Sequence, residues 1–84
     1  MQPTGRRLLF NMNLARIQAE LTRTEAEVAQ GERDLANQRE LVQMQRREGR
    51  PSEPSEELLE LLQRTLALLI EERDRLRTGL KRFK

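Results

Sequence analysis

Cysteine and histidine are both absent from the 84-residue sequence, and the only aromatic residues are two phenylalanines. Without thiols or imidazoles the chain has no disulfide, no Cys or His metal ligand, and no Cys or His nucleophile or general base. Phe10 and Phe83 are too few to stack a run of bases, which argues against sequence-specific recognition of single-stranded nucleic acid. These absences exclude most of the common catalytic chemistries.

Long hydrophobic runs are missing as well. The apolar stretch after Arg6 and Arg7 ends at Asn11, too early for the core of a signal peptide, which takes about 7–15 residues. The longest apolar run covers only residues 66–70, whereas a membrane span needs about 18. We therefore expect a soluble, cytoplasmic protein.

The remaining polar chemistry does not suggest an active site. Neighbouring acids such as Glu71 and Glu72 diverge by about 100° on a helix, so they do not share a site. The four glycines are dispersed and form no phosphate-binding loop. We predict that the protein is not an enzyme, with no catalytic residue, no metal ligand and no cofactor.

Two of the three prolines and one glycine fall in a single segment, where Gly49, Pro51 and Pro54 interrupt an otherwise helix-favouring chain. Gly49 suits the left-handed position after a helix end, and Ser52 or Ser55 can cap the next helix. The sequence therefore predicts a flexible basic N-terminus over residues 1–7, a first helix over 8–48, a link over 49–54 and a second helix over 55–83.

Both helical segments carry apolar residues at the alternating spacing of three and four that is typical of coiled coils. Because the link is short, the helices are expected to run antiparallel with these residues between them. The fold class is therefore predicted to be all-α, an antiparallel two-helix coiled-coil hairpin. Its predicted helix–helix seam consists of Leu21, Val28, Leu35, Val42, Leu59, Leu62, Leu66, Leu69, Leu76, Leu80 and Phe83.

A fold about residues 51–52 also predicts which residues lie opposite each other. It places Arg73, the one charged residue of the second seam, opposite Gly31, whose missing side chain leaves room for it. Residues before about Leu21 then extend beyond the end of the second helix. We interpret Gly31 and Arg73 as a structural pair.

Some apolar residues cannot be covered by two helices, and such surfaces are typical of interfaces. We expect the hairpin to form a homodimer, a four-helix bundle, or alternatively to bind a helical partner protein. On this interpretation the molecule is a scaffold, adaptor or small regulatory protein. The predicted partner surface consists of Phe10, Leu14, Ile17, Leu58, Leu61 and Leu68.

Charge is distributed unevenly along the chain. Residues 1–16 and 73–84 together hold nine basic residues and one acid, whereas residues 17–72 hold seven basic and thirteen acidic residues. A hairpin brings both termini to one end, where the basic residues could bind nucleic acid, an anionic membrane or an acidic protein. A nucleic-acid-associated protein is thus the alternative function. The predicted anion-binding tip consists of Arg6, Arg7, Arg77, Lys81, Arg82 and Lys84.

Two segments also support a resemblance to known sequences. Gly31-Glu32-Arg33, four residues and then Gln38-Arg39-Glu40-Leu41 form a GER-x4-QREL segment, and Arg73-Asp74-Arg75-Leu76 follows downstream. In this the chain resembles a group of short, uncharacterised proteobacterial helical-hairpin proteins over roughly residues 28 to 80. The resemblance implies a bacterial, cytoplasmic origin and no assigned activity.

Overall fold

The computed structural model describes residues 4–83, which form two helices joined by a short link. Helix α1 covers Thr4–Arg47 and helix α2 covers Glu53–Lys81. The chain turns back at the link, so that α2 packs along α1 in a rod of 74 × 17 × 14 Å. The predicted all-α hairpin is confirmed.

The end of α1 is set by a glycine, as the sequence predicted. Gly49 has a φ of +68°, in the left-handed region that residues with a Cβ rarely adopt. The amide of Arg50 donates to the carbonyl of Gln45 (2.8 Å), and that of Gly49 donates to Arg46 (3.1 Å). These two bonds form a Schellman motif, which satisfies carbonyls that the end of the helix would leave without a partner.

Helix α2 begins two residues earlier than predicted, at Glu53, with Ser52 in the N-cap position and Pro54 in the first turn. The Ser52 hydroxyl makes no bond to a backbone amide but donates to the Glu56 carboxylate at 3.1 Å. Proline fits this position because the first amides of a helix have no intrahelical acceptor. The link is therefore residues 48–52 rather than 49–54.

The N-terminal boundary also differs from the prediction. Helix α1 already includes residues 4–7, which were predicted to be flexible, while residues 1–3 of that segment lie outside the described residues. At the other end, Lys81 is the last residue of α2, and Arg82 and Phe83 form a turn instead of continuing the helix.

The predicted seam residues line the interface between the two helices. A central cluster of Val28, Leu35 and Leu66 is buried, and Val42 is buried nearer the link. The other members are half-buried, because two helices alone leave one side of each layer open to water. These half-buried members are Leu21, Leu59, Leu62, Leu69, Leu76, Leu80 and Phe83.

The register of the two helices differs from the predicted one. A Cβ at Gly31 would lie 3.2 Å from Leu66 Cδ1 and 4.0 Å from Leu69 Cδ1, so these leucines, and not Arg73, are its nearest neighbours. Arg73 bonds instead to the adjacent Asp74 at 3.2 Å. The predicted Gly31–Arg73 pair is therefore wrong, because the register has moved by the seven residues that separate Arg73 from Leu66.

A shift of seven residues has a simple physical origin. Because the seam repeats every seven residues, moving α2 by one repeat returns every seam residue to a seam position. The earlier start of α2 moves the centre of the link towards the N-terminus of the chain. Each residue of α1 then faces an earlier residue of α2, which is the direction of the observed shift. As a result α2 reaches further along α1, and Phe83 contacts Phe10 with the ring centroids 4.9 Å apart.

Candidate interaction surface

One flank of the hairpin is polar and joins the helices by charged pairs. Arg77 on α2 donates to the Glu25 carboxylate on α1 at 3.0 Å, and near the link Arg46 donates to Glu56. Side chains lean towards the N-terminus of their own helix, which lets these long residues meet across antiparallel helices. This flank has its charges matched between the two helices.

The Glu56 carboxylate accepts hydrogen bonds from both Arg46 and Ser52. The hydrogen bond from Arg46, and after it that from Ser52, lowers the pKa of Glu56 below its ordinary value, because both bonds favour the ionised carboxylate. A lowered pKa in the folded state means that these bonds contribute stability at neutral pH. That contribution is lost as the pH falls through the folded pKa.

The opposite flank of α2 carries an apolar row that α1 does not cover. Leu58, Leu61 and Leu68, which we call the outer stripe, are all exposed, Leu61 at 57% and Leu68 at 65%. They lie about 100° or more around α2 from Glu56 and Arg77, so they avoid the polar flank. Thr65 falls within the same row, which keeps the alternating spacing of three and four.

The predicted partner residues on α1 do not join the outer stripe. Phe10 is exposed but its ring lies against Phe83, and Leu14 and Ile17 are half-buried. Ile17 and Phe83 line the same shallow depression, so α2 reaches the segment that the sequence left overhanging. The predicted partner surface is thus divided into two parts at different positions along the rod.

The basic residues predicted to form the tip have different surroundings. Arg77 is paired with Glu25 on the polar flank and is not part of the tip. Arg6, Arg7, Lys81 and Arg82 are exposed, and none of these four has a carboxylate of the described residues within 4 Å. Lys84, the remaining predicted member, lies outside the described residues.

Several residues with a role in the interface were not among those predicted. Ile70 packs against the central cluster, a position that its spacing of four from Leu66 could have indicated. Thr24 is buried within the seam of α1, where its hydroxyl donates to the Glu20 carbonyl at 2.8 Å. The Gln38 amide donates to the carbonyl of Ser55 across the interface. The seven-residue spacing through Ile17, Thr24, Gly31 and Gln38 already places both polar residues on the seam, but it does not indicate their hydrogen-bond partners.

The carboxylates and the surface depressions along the described part of the rod bear on metal and ligand binding. Across residues 4–83 no group of three or more carboxylates is placed to hold a metal ion. The depressions on the rod are shallow and lie on solvated helix faces, as with the one lined by Leu41 and Met44 among polar residues. Within the same residues, neither helix has a stretch apolar enough to cross a bilayer.

The chain matches no protein-family model, no curated protein and no solved structure.

Proposed function

We propose that the hairpin is a non-enzymatic interaction module that pairs side by side with a second copy through the outer stripe. The product is a four-helix bundle of the coiled-coil type. In this form the protein acts as a scaffold or adaptor, because its interactions come from helical surface rather than from a catalytic pocket.

The observation that carries the proposal is the amount of surface left in contact with water. The hairpin exposes 6849 Å², whereas a compact monomer of its 9.9 kDa mass is expected to expose about 5,200 Å². The excess is about 1,600 Å², and a stable interface removes about 800 Å² from each partner. The excess on each hairpin is thus about twice the area that a stable dimer takes from each partner, which leaves room for pairing along the rod.

The thin interior supports the same conclusion. Four apolar side chains are buried among the described residues, and none of the large ones is completely shielded from water. Isolated helices and small cores contribute little stability on their own, so small helical proteins commonly gain it by oligomerisation. A second hairpin against the outer stripe adds a second apolar interface to the first.

The spacing of the outer stripe favours another helix as the occupant. Leu58, Leu61, Thr65 and Leu68 follow the three-and-four alternation that lets side chains of one helix fit between those of another. A second copy presents the same row, and a net charge of only +2 opposes pairing weakly.

Analytical ultracentrifugation tests the proposal. We expect the wild-type chain to sediment as a dimer, and Leu61→Gln with Leu68→Gln to sediment as a helical monomer. Leu9→Gln with Met12→Gln is the matched control, since it alters two comparably exposed side chains outside the stripe and should leave the dimer intact. A folded wild-type monomer across the concentration range, or a stripe variant that still dimerises, would contradict the proposal.

A further inference from the structure

The end of the rod where the termini lie combines exposed apolar side chains with cations that lack acidic partners. Leu8, Leu9 and Met12 are among the most exposed large apolar residues of the chain, with Leu9 at 62%. They lie within about one turn of each other on α1, roughly 120–160° around the helix from the seam residue Leu14. They therefore face away from α2, and neither extension of α2 nor the pairing of outer stripes covers them.

The charges around these side chains have one sign. No acidic residue occurs in residues 4–19 or in residues 75–83. The Arg16 guanidinium lies 3.6 Å from the Glu20 carboxylate, and the Arg77 guanidinium lies 3.0 Å from the Glu25 carboxylate. The charges of these two arginines are therefore neutralised by acids outside residues 4–19 and 75–83. Arg6, Arg7, Lys81 and Arg82 are exposed, with no carboxylate of residues 4–83 within 4 Å.

A partner for this end must supply negative charge and an apolar medium together. The phosphates of duplex nucleic acid can pair with the four cations, but they leave the apolar side chains of Leu8, Leu9 and Met12 in water. The boundary between headgroups and acyl chains of an anionic bilayer takes both, because leucine and methionine enter the boundary while arginine and lysine reach the lipid phosphates.

We propose that this end of the hairpin binds the surface of anionic phospholipid membranes. Leu8, Leu9 and Met12 enter the headgroup boundary, and Arg6 and Arg7, in the same stretch of α1, contact phosphate groups. The attachment is peripheral, with the rest of the rod remaining in water, where the outer stripe stays available to a second copy.

Vesicle flotation with the full chain tests this inference. We expect binding to vesicles of equal parts phosphatidylserine and phosphatidylcholine, and little binding to phosphatidylcholine alone. Leu8→Gln, Leu9→Gln and Met12→Gln together should weaken binding by more than about tenfold, since the apolar contribution is removed. Circular dichroism of the free variant checks that the helix content is unchanged.

A charge variant and a nucleic-acid arm separate the alternatives. Arg6→Gln with Arg7→Gln should weaken vesicle binding, whereas Arg33→Gln with Arg39→Gln, which removes the same charge from the middle of α1, should not. The inference is overturned if the wild-type chain does not float, or if the apolar variant floats as well as wild type. Duplex DNA binding that is lost in the Arg6/Arg7 variant, without vesicle binding, would assign the tip to nucleic acid instead.

Discussion

At the scale of single residues, the same side chain has opposite roles two positions apart. Leu66 is 8% exposed and packs in the central cluster, whereas Leu68 is 65% exposed on the outer stripe. Their chemistry is identical, so the difference comes only from the 200° that separates them around α2. The seam pattern predicted the burial of Leu66, because spacing alone identifies the face of a helix that meets a neighbour.

This pair of leucines allows a matched measurement of the core. Leu66→Ala should lower the free energy of unfolding by about 2–5 kcal/mol, because it removes buried methyl groups and leaves a cavity. Leu68→Ala should change it by no more than about 0.5 kcal/mol when unfolding is measured below the concentration at which the proposed dimer dissociates. Urea unfolding followed by circular dichroism measures both, and equal losses would contradict the assignment of the two faces.

At the scale of the helices, the pattern that predicts the seam does not determine the register. Every seam residue returns to the seam when α2 slides by seven residues, so the repeat favours several registers equally. Contacts decide among them. Leu66 lies against Gly31, where the predicted register placed Arg73.

The absence of native cysteine permits a direct test of this register. The Cβ positions of residues 31 and 66 lie 4.0 Å apart, within the range of about 3.5–4.5 Å that a disulfide requires. Gly31→Cys with Leu66→Cys should therefore oxidise to an intramolecular disulfide. Gly31→Cys with Arg73→Cys, displaced by about 10 Å along α2, should keep free thiols.

Thiol titration and mass spectrometry of dilute protein distinguish these outcomes. Dilution prevents disulfides between copies, so any bond formed reports on the hairpin itself. If residues 31 and 73 oxidised and residues 31 and 66 did not, the register predicted from the sequence would be the correct one.

At the scale of the whole molecule, elongation is the dominant property. A rod 74 Å long and only 17 Å wide has a large surface for its mass, and most of its exposed large apolar residues lie in two separate places. The outer stripe lies on a flank near the link, whereas Leu8, Leu9 and Met12 lie at the end with the termini. The rod thus presents a lateral surface and an end surface of different chemistry.

Small-angle X-ray scattering distinguishes which surface forms the dimer. Pairing through the outer stripe should double the mass while the longest dimension stays well below twice the 74 Å of one rod. Pairing through the ends would instead bring the longest dimension close to twice that length. The second result would contradict the lateral dimer, and it would also cover the end that we assign to membranes.

The sequence by itself determined the two helices, the turn at Gly49 and the apolar residues that form the seam. Each of these depends on residues close together in the chain, such as Gly49 at the end of α1 or leucines three and four positions apart. Only the tertiary structure decided the register, and with it the neighbours of Gly31 and the limited overhang of α1. The physical reason is that a seven-residue repeat is unchanged by a seven-residue shift, so only contacts between the helices select one alignment.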